Sequence, residues 1–318
     1  MIKLLQSTRV AGYARKTFFC ALLATAINNV MAQTLTDGLM MPKNNLCTGF
    51  IYTHDQWRDY WEGELKRDNG NIGRVTTQSL MWFANYGIMN KLDVIVMLPY
   101  VKTEASQGTL HSQQGLQDLS IGLKYNFYKY KTEKINFSTF GVINASTPLT
   151  DYTPDFFPLS IGTHTTNIAY RLTAYLRIKQ GWFINGSAGY TWRSNTKLDR
   201  GAYNDGNQYI ISDEVKMHDV FDVFVSTGYH TGPLQAELNY LQQNTLGGGD
   251  IRRQDMPFVS NRMNYQKVGA TVMYYLPKPK GFAVRGAVQY ALDGRNWGQS
   301  TTFLGGLMYT FRFDKAAE

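Results

Sequence analysis

Residues 303–313 read FLGGLMYTFRF. Taking every second residue gives Phe303, Gly305, Leu307, Tyr309, Phe311 and Phe313; between them stand Leu304, Gly306, Met308, Thr310 and Arg312. A strand alternates its side chains between two faces, so one face here is apolar and aromatic and the other mixed and partly charged. That pattern commits the end of the chain to a strand with one apolar environment outside and another, wetter one behind it.

The opposite end reads as an address. Lys3, Arg9, Arg15 and Lys16 form a basic start, Phe18–Ile27 is a short apolar stretch, and Val30-Met31-Ala32 offers small residues before Gln33. Ten apolar residues are about half of what a helical span needs, so residues 1–32 are expected to be a cleaved export signal rather than an anchor. Bulky Thr17-Phe18-Phe19 before Cys20 makes a poor lipoprotein site, and no lipid anchor is expected. Only Cys47 survives cleavage, which excludes an intramolecular disulfide. A terminal strand with alternating aromatics is similar to the C-terminal signal of bacterial outer-membrane β-barrels. With the leader, it implies the outer membrane of a Gram-negative-type bacterium, with membrane lipid and the barrel assembly machinery as partners.

Hydropathy separates a barrel from a helical membrane protein. Mean hydropathy is −0.31, and no long apolar run follows Ile27. Helical spans need about 20 mainly apolar residues each, whereas barrel strands need them only at alternate positions. Aromatics are 14%, led by 21 Tyr, which suits interfacial girdles. Removing the leader's four basic residues from a net charge of +8 leaves +4, and with no basic recognition motif this argues against nucleic acid.

The alternation recurs. Leu119, Ile121, Leu123, Tyr125 and Phe127 oppose Asp118, Ser120, Gly122, Lys124 and Asn126. Similar faces appear at 168–179, 221–230 and 267–274, with shorter or noisier strands at 75–86, 92–100, 134–145, 182–192, 234–240 and 282–290. A first strand falls within 46–65. Strand 134–145 breaks its alternation near Phe140-Gly141, which suggests a bulge there. Connections alternate between short ones, such as Lys179–Gly181 and Thr231–Pro233, and long polar ones, such as 146–162, 195–216 and 244–260. Leu92/Tyr100, Trp182/Tyr190 and Phe282/Tyr290 stand eight apart on three strands; eight tilted residues rise roughly 20 Å, near the ~25 Å apolar band of such barrels. The expected fold is all-β: a transmembrane antiparallel up-and-down β-barrel of 12 strands over residues 46–313, with a periplasmic tail at 314–318. A periplasmic β-sandwich would also alternate, but it leaves the loop rhythm and the terminal aromatics unexplained.

MLPYV at 97–101, followed by GLQDLSIGLKY at 115–125, resembles the outer-membrane family named for the meta-pathway of phenol degradation. In that family an LPY strand end precedes a GLGDL…KY strand; Gln117 stands where Gly is usual. The resemblance is best over Pro42–Tyr128 and implies a transport-type protein. It carries over no catalytic residue.

Catalysis finds little support. GSAG at 186–189 is not a nucleophile elbow. His111, His164, His218 and His230 sit near loops or turns without a Ser partner at mid-height, and no metal-ligand spacing is present. No enzyme, cofactor or metal is expected. Parity points Lys124, Arg171, Arg177, Lys267, Arg285 and Arg312 into the lumen, with Asp93, Asp118, Asp222 and Glu237. Six basic against four acidic residues suggests mild anion preference; the alternative is an ion-pair network filling a narrow barrel. The dense segment 54–67, with Trp57, Tyr60 and Trp61, is either a ligand-contacting mouth or a set of interfacial anchors. Residues 33–45 either tuck into the lumen as a short plug or form a periplasmic tail. The function expected is a channel or facilitator for passive passage of small solutes, hydrophobic or aromatic compounds among them. The alternative is a structural or adhesive barrel whose extracellular loops bind a ligand and which has no open pore.

Overall fold

A computed structural model of the chain describes residues 34–204, 208–252 and 256–313. The expected leader (1–32) and tail (314–318) lie outside these. Twelve strands form the wall: β1 Asn45–Trp57, β2 Val75–Met89, β3 Leu92–Ala105, β4 Asp118–Lys131, β5 Ile135–Pro148, β6 Asn167–Ile178, β7 Trp182–Arg193, β8 Val220–Thr231, β9 Leu234–Thr245, β10 Asn264–Tyr275, β11 Phe282–Arg295 and β12 Thr301–Arg312. Each pairs antiparallel with its neighbours in sequence, and β1 also pairs with β12 from Asn45↔Arg312 to Gln56↔Thr301. Closure leaves no sheet edge, which lipid requires because it cannot satisfy a bare N–H or C=O. No helix occurs among the described residues.

The apolar faces point outward. Leu172 and Leu238 are each 66% exposed, and Phe50, Trp82, Ile184 and Phe303 are likewise bare. An apolar belt of that extent on a wall built of alternating faces is a lipid-contacting surface. The protein is an outer-membrane β-barrel. Its terminal strand follows the expected parity, with Phe303 and Leu307 exposed and Met308 and Thr310 buried.

Three details refine the sequence reading. The first strand occupies Asn45–Trp57; the remainder of the aromatic-rich segment is a separate hairpin, Asp59–Glu62 against Leu65–Asp68. The bulge expected at Phe140-Gly141 belongs to the neighbouring strand. Register jumps from Asn126↔Phe140 to Tyr128↔Thr139, so Phe127 of β4 is the extra residue. β5 itself keeps its alternation, with Ser138, Phe140 and Val142 all buried. A bulge inserts one residue on one strand only, and Phe140 reads as a break because an aromatic occupies an inward position. Third, Gln113–Leu116 adds to the outer end of β3 before the chain turns into β4.

Candidate functional site

Residues 34–41 run inside the barrel, and residues 42–44 cross its rim to β1. From the short-turn end, the chain enters beside Gly87, where a Cβ would stand 2.3 Å from the Pro42 carbonyl oxygen, so only glycine lets the backbone pass. The Met41 N–H donates to Asp93 Oδ2 at 2.8 Å. Lys124, fully buried, donates to the Thr34 and Asp37 carbonyls at 2.9 and 2.7 Å and to Asp37 Oδ1 at 2.8 Å. Three oxygens match an ammonium's three donors, so none of them is left unpaired away from water. Asp93 and Lys124 are register partners on β3 and β4, so one rung of the wall holds both ends of the segment. From the far wall, Asn185 Nδ2 donates to the Thr36 carbonyl at 2.9 Å. Apolar contacts complete the seat. Leu39 packs with Phe140, Tyr175 and Phe183, and Met41 joins a cluster with Cys47, Ile51, Phe83, Met273 and Met308.

The segment is anchored on β3 and β4 and reaches across the lumen to β7. Beside it runs a cavity of about 390 Å³, bounded by the segment at Thr36–Leu39 and by inward residues of β6 to β12. On β9 its lining reaches from Gln235 to Gln243. Eight residues of a tilted strand correspond to roughly 20 Å of height.

The predicted lumen residues divide by partner. Arg171 grips Asp222 through Nη2 at 2.8 and 2.7 Å and reaches Ser187 Oγ through Nη1 at 3.1 Å. Lys267 stands 3.8 Å from Asp55 and lies over the Tyr265 and Trp297 rings at 5.3 and 5.7 Å. Glu237 and Arg285 both line the cavity, and Arg285 Nε is buried without a hydrogen-bond partner. Arg177 donates to the His230 carbonyl at 2.8 Å near the short-turn end, and Arg312 is exposed at that rim. Asp118 accepts from the Tyr152 hydroxyl at 2.6 Å. Parity counted only charges on the strands it could place. Asp55, on the uncertain first strand, and Asp37, on the segment, bring the acidic residues level with the six basic ones.

Trp57, Tyr60 and Trp61 do not form a stacking surface. Trp57 and Tyr60 rings lie 6.1 Å apart at 51°, while Trp61 is buried against Gly294 near the end of β11. The surrounding charges pair across their own hairpin, Arg58 with Asp68 at 2.7 Å and Arg67 with Glu62 at 2.7 Å. Nor do the interfacial-anchor and mouth readings exhaust what the loops do. Leu198, Tyr203, Val215, Met217 and Val259 make a small core of their own above the wall, joined by Phe157 and Phe258. Arg200 ties it to Asp155 at 2.6 Å. In these loops burial, then the Asp118 carboxylate, raise the Tyr152 phenol well above its ordinary value. Burial first, with Arg193, Lys216 and Arg262 nearby, lowers His218. The Arg295 hydrogen bond lowers Asp250. No group of three metal-ligating side chains occurs among the described residues.

Sequence reasoning missed the uncharged lining. Asn185, Asn239 and Gln289 face the cavity, and parity would have placed them there. Attention to charge alone passed over them.

Comparison with known proteins follows this geometry. An outer-membrane channel from Pseudomonas putida F1 superposes with a TM-score of 0.70 at 11% identity, covering 89% of this chain and 100% of its own. A NanC porin scores 0.46 at 7% identity, covering 81% and 98%. A mutant of the TodX monoaromatic hydrocarbon channel scores 0.45 at 10%, covering 86% and 91%. We draw nothing from the latter two, and the first is a likeness of fold. None of the curated proteins compared with the chain matches it in sequence. The model of the family described as "Putative MetA-pathway of phenol degradation" matches residues 71–307, from the strand before the LPY-bearing β3 into the aromatic terminal strand. The closed barrel carries that match through eleven of its twelve strands, and the chain belongs to this family.

Proposed function

We propose that this protein is an outer-membrane channel for passive passage of small solutes, with residues 34–41 as a resident plug narrowing the lumen. The observation that carries the reading is the cavity of about 390 Å³ left beside the segment along most of the wall's height. Eight-stranded barrels are filled by side chains and sixteen-stranded ones hold a water channel, so twelve strands leave room for both a segment and a path. Family membership supports transport over catalysis, and the histidines lack the arrangement a hydrolase needs. The barrel assembly machinery would read the aromatic face ending at Phe311 and Phe313, after which that face meets lipid.

The packed loop core favours a second reading, an adhesive barrel with a closed mouth. Single-channel recording on purified protein separates the two. Stable openings in a planar bilayer are expected; a folded barrel that stays silent across many insertions would support the adhesive alternative.

A further inference from the structure

The cavity wall has an uncharged polar order. Following cross-strand register from β7 to β12, Asn185 stands opposite Ser226, Ser226 opposite Asn239, Asn239 opposite Gly269, Gly269 opposite Gln289, and Gln289 opposite Thr302. Register partners on one face lie about 5 Å apart, so this is a continuous row of amides and hydroxyls across six strands. The single glycine allows it to join up. A Cβ at Gly269 would come within 2.7 Å of Gln289 Cγ and 2.8 Å of Asn239 Oδ1. Through that gap Gln289 Nε2 reaches Asn239 Oδ1 at 3.5 Å, and Asn239 Nδ2 reaches Thr271 Oγ1 at 3.4 Å.

These bonds are long and leave most of the row's capacity unspent. Each carboxamide offers two donors and two acceptor lone pairs. Asn185 uses its amide nitrogen on Thr36, and its carbonyl oxygen is buried without a hydrogen-bond partner. Around the row the cavity presents the rings of Tyr175, Phe183, Phe224 and Tyr265. Two of the charges are answered within the protein, Arg171 by Asp222 and Asp37 by Lys124, while Arg285 and Glu237 line the cavity without an ion pair between them.

We infer that the cavity is a binding site for a neutral polyhydroxylated solute, of the sugar or polyol class. This rests on the channel reading and narrows it. Hydroxyls both donate and accept, as carboxamides do, so several on one ring can be matched at once, while the ring's C–H face packs on an aromatic. A simple phenol brings one hydroxyl and would strip water from the remaining amides, at about 1–3 kcal/mol for each group left unpaired. A cavity of about 390 Å³ is within the roughly 300–1,000 Å³ typical of small-molecule sites.

Sucrose and phenol are the probes, tested on the full barrel in detergent by calorimetry and in bilayers by current interruption. Saturable sucrose binding is expected, weakened at least about tenfold by Asn239→Leu with Gln289→Leu, losses of about one hydrogen bond's worth or more. The variant's fold is checked by heat-modifiable migration, and Gly269→Ala, which crowds the same row from an apolar side, is expected to weaken binding too. Sucrose heat that does not saturate, or saturable binding unchanged in both variants, overturns the inference. So does tighter binding of phenol than sucrose. Calorimetry reads the site even in a barrel that passes no current, so a silent bilayer defeats the channel reading without touching this one.

Discussion

The two sides of the lumen are built on opposite plans. On the β2–β5 side the wall is spent on the N-terminal segment: Asp93 and Lys124 hold its backbone and Phe140 its leucine. On the β7–β12 side the wall faces a cavity, with Asp222 closed on Arg171 of β6 and amides in a row. The difference teaches that inward polarity has two uses in one barrel. Charge with a fixed protein partner immobilises chain; uncharged polarity with spare hydrogen bonds leaves space for something that comes and goes.

Removing the segment tests this contrast most severely. Deleting residues 34–41 should raise single-channel conductance several-fold; an unchanged conductance would show that the segment does not share the conducting path. A smaller intervention is Lys124→Met. It strands Asp37 and two carbonyls, and breaking a buried pair from one side should cost about 3 kcal/mol, read as a lower denaturation midpoint. Adding Asp37→Asn should recover part of the loss. Strict additivity of the two changes would mean the pair is not coupled. The smallest effect is expected on the cavity side. Arg171→Gln exposes Asp222 to the lumen and should move the reversal potential in a salt gradient toward cation selectivity, and Asp222→Asn on top should bring it back. Anion selectivity in the unmodified barrel, abolished by Arg171→Gln, would mean that this arginine is electrostatically free despite its two short bonds to Asp222.

Most of the wall was legible because lipid outside and water inside impose a period of two, and nothing else in the chain competes with it. Leu119 to Phe127 is readable on sight. The bulge was assigned one strand away, since register is a property of a pair and Phe127 declares itself only against Thr139 and Phe140. Lys124 could be turned inward by parity, but its partner Asp37 lies 87 positions earlier in a stretch with no periodicity at all. The loop core at Leu198 and Val259 was invisible for the same reason: its members have no common period, only a common place. Asn239 and Gln289 were within reach of the parity rule and needed only to be asked about.

One joint at the rim has a consequence in time. The Asn44 N–H donates to the Gly87 carbonyl at 2.8 Å, and the Asn44 carbonyl accepts from the Phe313 N–H at 3.0 Å, with Asn44 held at a φ of 59°. The same residue thus ends the segment, starts β1 and receives the last bond of the β1–β12 seam. That seam bond and the Gly87 bond fix the point at which the chain turns from the wall into the barrel. A barrel whose seam is open at Asn44 is therefore expected to leave its segment unseated as well.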